Sequence, residues 1–76
     1  MHGMLTLSAM KTHPEVIALW PSPSALARDV GLKTPAVRHW KREKRIPIAR
    51  YDDVLAAAEK RGFEVTYAEL TEGGRV

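Results

Sequence analysis

Apolar residues recur along this chain in short runs at helical spacing, and nearly every run is bounded by a capping residue, a proline or a glycine. The first run is Val16, Ile17, Leu19 and Trp20. Ahead of it, Thr12-His13-Pro14-Glu15 sets a capping Thr three residues before a Glu, a capping box with proline tolerated in the first turn; Pro21 closes the run. Ser22-Pro23 starts a second helix with Ser as N-cap and Pro at the first helical position. Its stripe is Leu26, Ala27 and Val30, and Gly31 supplies a left-handed residue to end it. Thr34-Pro35 opens a third helix by the same logic, with Val37 and Trp40 on one face and almost only basic or polar residues elsewhere.

Ile46-Pro47 breaks and restarts the chain. A fourth helix then repeats apolar residues at Ile48, Tyr51, Leu55 and Ala58, supported by Val54, and stops at Gly62. Thr66-Tyr67-Ala68-Glu69 is a second capping box, opening one short turn that anchors Leu70. From Thr71 to Val76 the chain is expected to fray. Leu5 and Leu7 alternate, but a single short strand has no partner in this sequence. The pattern predicts an all-α, compact four- to five-helix domain with a central helix-turn-helix. Residues 1–11 form an N-terminal extension, 12–71 the domain and 72–76 a tail.

Composition narrows the class. Seventy-six residues suffice for one small core, and the 45% hydrophobic content points to folding rather than disorder. The absence of cysteine excludes disulfides and thiolate metal sites. No apolar stretch approaches the ~20 residues of a membrane helix, and residues 4–10 lack the basic flank of a signal peptide. A soluble cytoplasmic protein is therefore the expectation. The net charge of +3 hides an asymmetry: residues 1–30 sum to zero, residues 31–50 to +6 and residues 51–76 to −3. A basic block so concentrated suits either a polyanion or a solvated helix face.

The spacing within residues 23–42 decides between these. A helix-turn-helix needs a small residue where two helices cross, and Ala27 occupies that place. It needs Gly four residues later for the turn, which is Gly31, and apolar residues to pin the second helix, which are Leu26, Val30, Leu32, Val37 and Trp40. Seven matches at fixed spacing form a far more specific signal than a basic run.

Residues 15–70 resemble a small phage-repressor-type (Cro-like) helix-turn-helix domain, more narrowly the carph-isopro type of phage and prophage regulators. The matching stretches are Ser24-Ala25-Leu26-Ala27-Arg28-Asp29-Val30-Gly31, Val37-Arg38-His39-Trp40-Lys41, Arg45-Ile46-Pro47 and Val54-Leu55-Ala56-Ala57-Ala58. Trp20-Pro21 departs from the pattern, where a Gly-containing turn is expected. The resemblance implies an all-helical, sequence-specific binder of double-stranded DNA, commonly a homodimeric transcriptional regulator on a palindromic operator, without cofactor. Such a protein would be associated with the bacterial nucleoid.

A recognition helix presents its N-terminal residues to base edges in the major groove. Lys33, Pro35, Arg38, His39 and Arg42 are the expected base readers, with Arg38 and Arg42 suited to bidentate contact with guanine. Ser22, Ser24, Thr34, Lys41, Lys44 and Arg45 are the expected phosphate contacts. Trp40 is assigned to the core, Trp20 to the core or a dimer surface, and Arg50 to a pairing with Asp53 in preference to a phosphate. Phe63, Val65, Tyr67 and Leu70 are the expected dimer interface, ahead of Leu5 and Leu7.

Nothing in the chain suggests catalysis. His2, His13 and His39 lack metal-ligand spacing, Asp52 and Asp53 diverge around a helix, and no nucleophile stands beside a base. The rival reading is a protein-interaction helix-turn-helix module, such as an antitoxin component holding its toxin. Such a module has no need of a recognition helix this basic.

Overall fold

Both capping boxes form, and they bracket the fold. The computed structural model describes residues 10–73, so the alternation of Leu5 and Leu7 and the last residues of the tail lie outside the described residues. Helix α1 (His13–Ile17) begins where Thr12 Oγ1 accepts the Glu15 N–H at 3.4 Å and Glu15 Oε1 accepts the Thr12 N–H at 2.8 Å. It is shorter than the apolar run suggests. Leu19 and Trp20 lie in a turn whose N–H groups reach back three residues, to Val16 and Ile17. Pro21 is the cause, because a residue before proline is driven out of the helical region.

Helix α2 (Pro23–Val30) follows the expectation closely: Ser22 Oγ accepts the Ala25 N–H at 3.2 Å, and Gly31 at φ 76° ends the helix. Helix α3 (Thr34–Glu43) starts one residue earlier than expected. Lys33 holds the N-cap position without a side-chain bond, and Thr34 lies inside the helix, donating its hydroxyl to Ser24 Oγ at 3.2 Å. The hydroxyl expected to cap α3 thus ties it to α2. At the far end Lys44 takes the left-handed conformation, φ 57°, and the Arg45 N–H returns to the Trp40 carbonyl at 3.0 Å. This is the Schellman ending that glycine completes after α2 and lysine completes here.

A 3₁₀ turn at Ile48–Arg50 leads into helix α4 (Tyr51–Arg61). The tighter turn breaks the 3.6-residue phase, so Ile48 leaves the face shared by Tyr51 and Val54 and is 72% exposed. Its expected place in the apolar stripe is corrected on that ground. Helix α5 (Tyr67–Gly73) opens with Thr66 Oγ1 accepting the Glu69 N–H at 3.1 Å and Glu69 Oε1 accepting the Thr66 N–H at 3.0 Å. It continues past Thr71, where fraying was expected. Gly73 packs so tightly on Lys11 and Thr12 that a Cβ there would overlap the Lys11 carbonyl. Lys11 belongs to the folded unit too: its N–H donates to Glu69 Oε2 at 3.1 Å and its ammonium to the Glu64 carbonyl at 2.8 Å.

The described residues form an all-α domain with no strand among them. Val16, Leu26, Val37, Ile46, Val54 and Leu70 are fully buried, and Trp20 and Trp40 join them at 4% exposure, which settles Trp20 as core. Leu70 is therefore removed from the expected dimer surface, since α5 turns it inward against α1 and α4. His13 is buried at the centre of this packing. Its Nδ1 accepts the Ile46 N–H at 2.8 Å, so the ring proton sits on Nε2, which donates to the Leu70 carbonyl at 2.6 Å. One neutral imidazole thereby satisfies a backbone group on each side of the core. No helix among the described residues is long and apolar enough to cross a membrane.

Candidate nucleic-acid interface

Helix α3 has two unlike faces because residues advance roughly 100° per step. Val37 and Trp40 point into the core. Pro35, Arg38, His39 and Arg42 fall on the opposite side, and all four are exposed. Lys41 and Thr34 fall on a flank between the faces, with Lys41 exposed and Thr34 half-buried against Ser24. The turn Gly31-Leu32-Lys33 sets this orientation: the Leu32 N–H returns to the Ala27 carbonyl at 2.8 Å, while Ala27 itself is buried.

Two clefts collect the residues expected to meet phosphates. In the first, Ser24, Thr34 and Lys33 meet beside Pro35, together with Arg28. Arg28 carried no assignment from the sequence. It follows Ser24 by four residues on α2 and so shares its face, a relation visible in the sequence once the helix is placed. In the second, Lys41 lies beside Ser22 and Pro23 at the N-terminus of α2. Lys33 is exposed at the N-cap of α3, and Lys44 and Arg45 are exposed beyond its end. The expected residues thus divide between two clefts and the exposed face of α3, with Lys44 and Arg45 following its left-handed end.

The ion pairs of the described residues lie elsewhere. Arg50 pairs with Asp53 at 3.3 Å, as the sequence suggested, and Lys11 with Glu69 at 3.6 Å. Asp29 bonds to Arg61 and accepts the Trp20 indole N–H at 2.8 Å, joining α2, α4 and the turn after α1. The Arg61 guanidinium, helped by the Trp20 indole, holds the Asp29 carboxyl below its ordinary value, and Asp29 in return raises Arg61. Burial pushes Glu69 up, but the Thr66 and Lys11 N–H groups and the Lys11 charge together bring it below the usual carboxylate range. None of these three pairs draws on a cation between residues 33 and 45. Within the basic face the interaction that forms is a hydrogen bond, Arg42 Nη2 to His39 Nδ1 at 3.1 Å.

The remaining expected surface is mixed. Phe63 and Val65 are half-buried, Tyr67 is 55% exposed, and with Leu55 they border an open apolar cleft edged by Glu59 and Glu64. Phe63 also meets Trp20 edge-to-face at 5.0 Å, so part of its ring serves the core. Among the described residues no group of three His, Asp or Glu side chains is placed to hold a metal ion.

Fold and surface together define a small all-α domain in which a helix-turn-helix pair displays a basic helix whose cations take no part in the ion pairs of the described residues. Comparison with protein-family models, curated proteins and solved structures finds no match to this chain.

Proposed function

We propose that the protein is a sequence-specific DNA-binding transcriptional regulator, a repressor of the phage or mobile-element kind acting in the cytoplasm without a cofactor. The observation that carries this reading is the exposed face of α3, where Pro35, Arg38, His39 and Arg42 lie opposite buried Val37 and Trp40. That face enters the major groove, with Arg38 and Arg42 directed at guanine edges and Lys33 at its leading end. Ser22 with Lys41, and Ser24 with Thr34 and Arg28, take phosphates on either side, and Lys44 and Arg45 take another where the helix leaves the groove.

One such helix reads too few base pairs to select an operator among many competing sites, so the regulator acts as a symmetric homodimer. The half-exposed apolar residues Phe63, Val65 and Tyr67 supply the contact. The test is selection of bound sequences from random double-stranded DNA at several salt concentrations. Expected are an enriched palindrome and an affinity that falls with salt, the logarithmic slope losing about 0.9 for each phosphate contact removed, as in Lys41→Ala. No enriched sequence, or salt-independent binding, overturns the proposal.

The apolar cleft of Leu55, Phe63, Val65 and Tyr67 favours a second reading. A protein-interaction module, such as an antitoxin component, would use that cleft and leave the basic helix idle. Failure of the DNA selection together with purification in a stable complex with another protein would select it.

A further inference from the structure

Building on the proposed DNA-binding function, we infer that His39 acts as a positioning residue for Arg42, so that the two read one base pair as a unit rather than two separately. His39 and Arg42 stand three residues apart on α3, both exposed, with Arg42 Nη2 at 3.1 Å from His39 Nδ1. A guanidinium has donors and no acceptor, and it stays charged at any ordinary pH. The hydrogen bond therefore runs from Arg42 to His39, which fixes Nδ1 as the bare nitrogen and places the imidazole proton on Nε2.

The consequence lies in conformational freedom. A long exposed arginine loses rotamer entropy when it settles on a guanine, and that loss subtracts from discrimination. An arginine already tethered at one Nη has part of that loss behind it, and its remaining donors stay available for O6 and N7. Arg38 contrasts with it: its exposed side chain on the same face has no described partner of this kind, so it settles only on contact.

The interaction can be checked without DNA. In nitrogen–proton NMR of the folded protein near pH 8, His39 should show the Nε2–H tautomer, and Arg42→Ala should move it toward a mixture of both. Base preferences are then compared by binding selection for the wild type, Arg42→Ala, His39→Ala, His39→Asn and the double variant. Arg42→Ala should lower discrimination at one base pair by roughly tenfold or more. His39→Ala should relax the same base pair by a smaller factor, the double variant should resemble Arg42→Ala alone, and His39→Asn, whose Oδ1 replaces the accepting Nδ1, should restore much of the preference. Relaxation at a different base pair, or additive losses, overturns the inference and leaves DNA binding intact. An Nδ1–H tautomer overturns it as well. A wild type that selects no sequence removes both this inference and the function beneath it.

Discussion

At the scale of single residues, two side chains do work that their neighbours in sequence do not announce. His13 is fully buried and bridges the Ile46 N–H and the Leu70 carbonyl. His13→Leu keeps a similar bulk and strands both groups, at about 1–3 kcal/mol each. A thermal melt should then fall by roughly 10 °C or more for a domain of this size. A melt within a few degrees of wild type would show that water replaces the imidazole. Lys44 is the opposite case, a lysine held at φ 57° where glycine is favoured. Lys44→Gly should relieve about 1 kcal/mol and raise the melting temperature by roughly 4–8 °C. The same change should weaken binding to every DNA sequence and reduce the salt slope by about 0.9. Gained stability with unchanged affinity would place Lys44 off the phosphate backbone.

At the scale of elements, the α2–α3 pair carries the candidate site, and its geometry rests on small residues at the crossing. Ala27 is 1% exposed beneath the turn. Ala27→Leu should force the helices apart at a cost of roughly 1–3 kcal/mol. Because the separation tilts α3, DNA affinity should fall further than lost stability alone would reduce it, as measured at a temperature where the variant remains folded. An unchanged melt would mean that the crossing lies elsewhere. This pair was legible in the sequence because its information is local: cap, proline and left-handed residue all lie within a few positions of the helix ends they define. The departures from periodicity also lie at element ends. Helix α1 stopped before Trp20, Thr34 moved inside α3, and the 3₁₀ turn threw Ile48 outward. Each is a small shift in winding that periodicity alone does not resolve.

For the whole molecule, the charges divide into a basic face and a set of ties that hold the helices together. Asp29 and Glu69 are two carboxylates that serve as ties, and both titrate below their ordinary values of 3.8 and 4.5. A folded pKa lower than the unfolded one stabilises the fold only while the group is ionised. The contribution is complete above the unfolded value and is lost as pH falls through the folded one. The melting temperature should therefore hold from neutrality to about pH 5 and drop below about pH 4. Glu69→Gln should be less stable at neutral pH and show a shallower acid decline, because the glutamine keeps the shape but has no charge and only one oxygen to accept from the Thr66 and Lys11 N–H groups. An identical acid limb in both proteins would exclude Glu69 as a source of it.

The caps at Thr12, Ser22 and Thr66, the left-handed turns at Gly31 and Gly62, and the two faces of α3 followed from the order of residues, because each depends on atoms at most a turn or two apart. Only the tertiary structure decided which helices those local signals would bind together. The bonds responsible span 33 residues from His13 to Ile46, 57 from His13 to Leu70, 58 from Lys11 to Glu69 and 32 from Asp29 to Arg61. It also decided that Leu70 faces inward and that Thr34 of α3 joins Ser24 and Arg28 of α2 in one cleft. No periodicity connects such positions. They become neighbours when burial of the apolar stripes closes the chain on itself, and any polar group caught inside must then find its partner there.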